Sequence, residues 1–212
     1  MPNTASTDIE VAQRAMVLVG MNPLSTFTEA TDEALVMNTT YEDIVQDCLA
    51  QHNWNFATGQ KQLPRLSDVP LDRWSAAYAL PTEPAVVQVQ TVTVDSVVQQ
   101  YDIYEKYLYI NADTNDDVIL SYIFRPATSQ WPPAFTLWVV YRLAGILALS
   151  VIRKGDIANS YATLAENQFR RAKSRDSQQT STQSINLSRF TRVRLGSNLY
   201  ARIEGETVEW HY

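Results

Sequence analysis

The feature that most constrains this chain is a change of period. From Thr28 to Leu49 the apolar residues Ala34, Met37, Tyr41, Ile44, Val45, Cys48 and Leu49 recur at helical spacing. From Val86 to Val94 the spacing is two, as in a strand. Between them the stretch His52-Asn53-Trp54-Asn55-Phe56 ends the helical pattern. Helical spacing returns only after Trp131. The pattern predicts an α+β chain, mainly α. Residues 1–56 and 131–176 each supply two helices of a four-helix bundle. Residues 57–130 form an inserted small antiparallel β-sheet subdomain, and residues 177–212 an extended C-terminal arm.

Local signals place the helices. Thr7 and Glu10 form a capping box ahead of Ile9, Ala12, Met16 and Val19, and Gly20 with Asn22-Pro23 ends that helix. The second helix starts between Thr28 and Asp32. The third follows Trp131-Pro132-Pro133 and is apolar all round, with Arg142 at its centre. A charge at mid-helix favours a buried core helix over a membrane span, so no direct membrane insertion is expected. Arg153-Lys154-Gly155 closes it. Asp156 is expected to cap the fourth helix, whose stripe is Ile157, Tyr161, Leu164, Ala165, Phe169 and Ala172.

In the insertion, Pro64, Pro70, Pro81 and Pro84 predict irregular chain over 57–84. Residues 86–94, 97–101, 104–110 and 117–124 read as strands of one meander. Asp113-x-Asn115-x-Asp117 has part of the spacing of a calcium loop but lacks the following glycine and the closing Glu, so it reads as a turn.

The chemistry of enzymes is not apparent. The chain has six glycines, two histidines and one cysteine, and no phosphate loop or nucleophile elbow. Cys48 falls on an apolar helix face and reads as core. Glu42, Asp43 and Asp47 lie on the wet face of the second helix, where nothing shifts a pKa. No carboxylate pair can be nominated for hydrolysis. The expectation is a non-enzyme with no catalytic residue, metal or cofactor. MPNTASTDIE has neither a basic region nor an apolar run, so no secretory leader is expected.

Charge is unevenly placed. The net value is −6, yet residues 170–202 carry eight of the 17 cations and one acid. The arm begins with the polar run SQQTSTQS. After it come Arg189, Phe190, Arg192, Val193, Arg194, Leu195, Leu199, Tyr200 and Trp210, which read as an interface for a partner or a neighbouring subunit. The alternative is a nucleic-acid-binding protein using residues 170–202.

Three segments carry a resemblance. Ala15-Met16-Val17-Leu18-Val19-Gly20-Met21-Asn22-Pro23-Leu24 is similar to the Leu/Ile-Gly-x-x-Pro turn of the phage tail tubular protein A family. Asn53-Trp54-Asn55-Phe56-Ala57 resembles its Gly-Trp-x-Phe segment, with Asn53 in place of a left-handed glycine. Trp131-Pro132-Pro133-Ala134-Phe135 resembles its Met/Leu-Pro-x-x-Phe start of the third helix. The resemblance covers about residues 8–175. The resemblance implies a structural protein of the virion tail, made in the host bacterial cytoplasm. It would be the head-to-tail adaptor of a short-tailed bacteriophage, a ring (usually twelvefold) between portal protein and tail nozzle protein. Tail fibres or tailspikes attach nearby, and genomic DNA passes the lumen without sequence recognition. An acidic body suits such a channel, since cations would hold the phosphates. In this reading Trp54, Phe56 and Trp131 form the structural junction between helices and sheet.

Overall fold

The computed structural model describes residues 5–67, 70 and 73–179. Local chemistry starts the first two helices. In α1 (Asp8–Leu18) the Thr7 hydroxyl accepts from the Glu10 N–H at 3.3 Å, and the Glu10 carboxylate accepts from the Ser6 and Thr7 N–H groups. After it, Gly20 takes φ +78°, which a side chain would resist. In α2 (Asp32–Ala50) the Thr31 hydroxyl accepts from the Ala34 N–H at 3.2 Å.

Seven strands follow among the described residues: β1 (Thr58–Gln62), β2 (Ala76–Ala79), β3 (Val86–Val94), β4 (Val97–Val98), β5 (Tyr101–Tyr104), β6 (Tyr107–Ile110) and β7 (Val118–Phe124). They make two antiparallel sheets, ordered β1-β7-β3-β4 and β2-β6-β5. Then come α3 (Pro133–Ser150) and α4 (Gly155–Ser177).

The fold is therefore α+β and corrects the expectation of a four-helix bundle with a small inserted sheet. Two causes account for the difference. First, residues 57–84 are not irregular throughout, because two of the strands lie among them. β1 pairs with β7 and β2 with β6, although Thr58-Gly59-Gln60-Lys61-Gln62 and Ala76-Ala77-Tyr78-Ala79 have little strand propensity. Gly59 eases the first pairing, because a Cβ there would stand a tight 3.3 Å from the rings of Tyr122 and Phe124. Second, the helices do not pack only on each other. α1, α2 and α4 all pack on α3, and α2 also touches β3 and β7. The single meander is likewise replaced, since β3 pairs with β7 and β5 belongs to the other sheet.

Smaller expectations also shift. Arg153, not Gly155, takes the left-handed conformation after α3, at φ +59°. Gly155 opens α4 and Asp156 lies in its first turn, behind an N-cap at Lys154. Leu164 is exposed rather than in the buried stripe.

Two apolar cores result. One joins Val11, Met37, Val45, Trp54, Phe135, Trp138, Leu143 and Leu147 with Ile123 of β7. The other lies in the sheets, around Tyr78, Val92, Leu108, Ile110 and Leu120. β7 serves both: Val118, Leu120 and Tyr122 turn to the second core and Ile123 to the first. The sheet edges differ. β1 presents Gln60, Lys61 and Gln62 to solvent, whereas β4 presents Val97 and Val98.

Candidate functional site

Trp54 is the centre of the helical core. α2 runs out at Ala50, and its late carbonyls lack partners within the helix. The Trp54 indole N–H donates to the Cys48 carbonyl at 3.0 Å and satisfies one of them. Asn53 is not left-handed, so the helix is closed by this indole rather than by the glycine-like turn that the motif suggested. The Trp54 ring lies 5.1 Å from Phe135, 5.7 Å from Trp138 and 5.9 Å from Phe56, centroid to centroid. Phe56 and Trp131 also touch Phe135, at 4.9 and 5.1 Å. The three junction residues thus meet around one ring. Edge-to-face pairs of this kind add about 0.5–1.5 kcal/mol each beyond area burial.

A polar clasp binds this cluster to α4. The Asp176 carboxylate, 5% exposed, accepts from the Asn55 backbone N–H at 3.1 and 3.2 Å. The Asn55 side-chain amide returns a bond to the Asp176 carbonyl at 2.8 Å. His52 Nε2 stands 3.7 Å from the carboxylate. Burial raises the Asp176 pKa, against the opposing Asn55 hydrogen bond. Burial also lowers that of His52, and the attraction of Asp176 does not reverse it. A depressed histidine adds stability above its unfolded pKa and loses it as the pH falls through the folded value. His52→Asn is therefore expected to lessen the loss of stability between pH 7 and pH 5 in urea titrations. An unchanged loss would remove His52 from that role.

A second clasp joins helices to sheet. Arg125, just after β7, donates from Nε to Glu42 at 2.9 Å and from a terminal nitrogen to Asp8 at 3.1 Å. The Thr128 hydroxyl also donates to Asp8. The guanidinium lies 5.8 Å from the Trp131 ring centroid. Glu42, read as solvated, is half engaged here. Asp47 is as well, through Arg142. Cys48 is buried and donates no obvious chemistry, its thiol pushed up to about 11 by burial.

Two concavities adjoin these clusters. A groove of about 590 Å³ between α1 and α3 is walled by Val17, Leu18, Pro23, Leu137 and Val140, with Glu10 and Arg14 beside it. A smaller pocket of about 170 Å³ is walled by Trp54, Phe56, Pro132, Pro133 and Phe135, with Arg175, Asp176 and Gln179 at its α4 side. Among the described residues no group of three His, Cys, Asp or Glu side chains could hold a metal ion.

The expected interface residues Arg189, Phe190, Arg192, Val193, Arg194, Leu195, Leu199, Tyr200 and Trp210 lie outside the described residues. Sequence reasoning missed Asp176 and Arg125. Asp176 left a signal: an acid in the last turn of a helix opposes the dipole and needs another reason to be there. No known protein family matches the sequence, and no curated protein is recognisably similar to it.

Proposed function

We propose that this protein is a structural head-to-tail adaptor, a ring subunit between portal and tail nozzle with no catalytic role. The observation that carries this reading is α3. Its 18 residues have mean hydropathy 1.4, and only half of the helix is buried within the chain. Its outer residue Leu137, 39% exposed, joins Val17 and Leu18 of α1, 59% and 42% exposed, along the groove. An apolar surface of this kind is a place for another protein surface. In a ring each subunit must present two unlike surfaces that close on its neighbours. The motif residues support the same reading through their work in the fold: Gly20 turns the chain after α1, Trp54 closes α2, and Pro133 begins α3. DNA would cross the lumen unread, and fibres or tailspikes would attach at the nozzle side.

Electron microscopy and native mass spectrometry of the full chain with purified portal test the reading. A ring of copies seated on the portal is expected; a protein that stays monomeric and ignores the portal would overturn it. Leu137→Asp should weaken self-association by at least ~30-fold, the effect of a 2 kcal/mol hot spot. Its circular dichroism should match the parent, because the side chain is on the surface. Unchanged assembly would remove the groove from the contact.

A further inference from the structure

Two features of α4 have no part in the adaptor reading. The first is its exposed basic stripe. Arg171 and Arg175 stand one turn apart, both exposed, with Lys173 between them in sequence. Among the described residues no ion pair holds any of these three, whereas Arg170 is paired with Glu166 at 3.3 Å. The second is the aromatic pocket beside the stripe, which Arg175 and Gln179 border. Asp176 also borders it, but its carboxylate is taken by the Asn55 N–H. That carboxylate is buried and Arg175 is exposed, so the exposed charge at the rim is positive.

The chain itself contains the complement. Residues 204–212 read EGETVEWHY: three acids, no Lys or Arg, and two aromatic residues. We propose that the basic stripe and aromatic pocket are the docking site for residues 204–212 of a second copy of this chain. Trp210 fills the pocket, and Glu204 and Glu206 face Arg171 and Arg175. Positions 204, 206 and 210 are spaced so that any extended chain would put them on one side, the first two about 7 Å apart. The two arginines stand about 6 Å apart along the helix, so the spacings match within side-chain reach. A tryptophan in an apolar pocket, with charge pairs at its rim, has the make-up of an interface hot spot. The pairing is between unlike surfaces that every copy carries, so it propagates from copy to copy.

The test uses the full chain with Trp210→p-benzoylphenylalanine, a photo-crosslinking side chain. Irradiation should give covalent species at twice the subunit mass and above. Peptide mapping should place the link at Phe56 or residues 132–135. The pair Arg171→Glu and Arg175→Glu should lower dimer yield by about tenfold. Mixing that variant with one carrying Glu204→Lys and Glu206→Lys should restore it. Links found only within single subunits, links mapped to another surface, or a yield indifferent to these charges would each overturn the proposal. If the reversed α4 loses its circular dichroism signal, the variant Glu204→Lys/Glu206→Lys/Glu209→Lys changes no residue of the body and should show the same loss; an unchanged yield there would overturn it. Portal binding is measured alongside. Cross-linked copies that ignore the portal would remove the adaptor reading and leave the docking site. A portal-bound ring without the cross-link would do the reverse.

Discussion

Trp54→Ala lowers the free energy of unfolding by about 3–5 kcal/mol, the range for a large side chain removed from a packed core. The position favours the upper part of that range. Trp54 is 1% exposed and touches five aromatic or imidazole rings. Rings on three different stretches of chain cannot all move inward to fill the space. The substitution also strips the Cys48 carbonyl of its indole donor at the end of α2. Urea unfolding followed by fluorescence and circular dichroism measures the loss. A Trp54→Phe variant separates the contributions, since it keeps most of the apolar volume and loses the hydrogen bond. A loss below about 1 kcal/mol for Trp54→Ala would mean that the junction is not the keystone of the helical core.

Leu120→Ala is the second large effect, about 2–5 kcal/mol. Leu120 is fully buried in the sheet core and pairs with Lys61 on one side and Val92 on the other. The informative result is the shape of the transition. β7 contributes Leu120 to one core and Ile123 to the other, and Arg125 follows directly with its bonds to α1 and α2. Loss of Leu120 should therefore lower the midpoint seen by far-ultraviolet dichroism of the helices as much as that seen by sheet-sensitive probes. Two separated transitions would show that the cores melt independently.

The sequence was most readable where one short-range force decides. The Thr7 capping box, the stripe of α2, and β3 and β7 each follow from spacing and one cap or turn. Reading failed where partners distant in sequence decide. Thr58-Gly59-Gln60-Lys61-Gln62 becomes a strand because β7 lies alongside and glycine leaves room for two rings. Ala76-Ala77-Tyr78-Ala79 becomes one because β6 does. The prolines of that region limit strand length and do not forbid strands. The site followed the same rule. Trp54 and Phe56 stood out as large aromatics after a helix, but the acid that ties them to α4 lies 121 residues from Asn55, and only its place in the last turn of a helix marks it.

The short outer strand β4 has a consequence for handling the molecule. An uncovered row of valines at the rim of a sheet ordinarily invites strands from other molecules and seeds fibrils. Here the row is only Val97-Val98, with the Asp95-Ser96 turn before it and the start of β5 soon after. Two residues offer too few backbone bonds to hold a passing strand. Brevity thus does at this rim what Lys61 and its glutamines do at the other. A concentrated stock should stay clear on storage, and lengthening β4 by even two or three strand-forming residues should turn it cloudy.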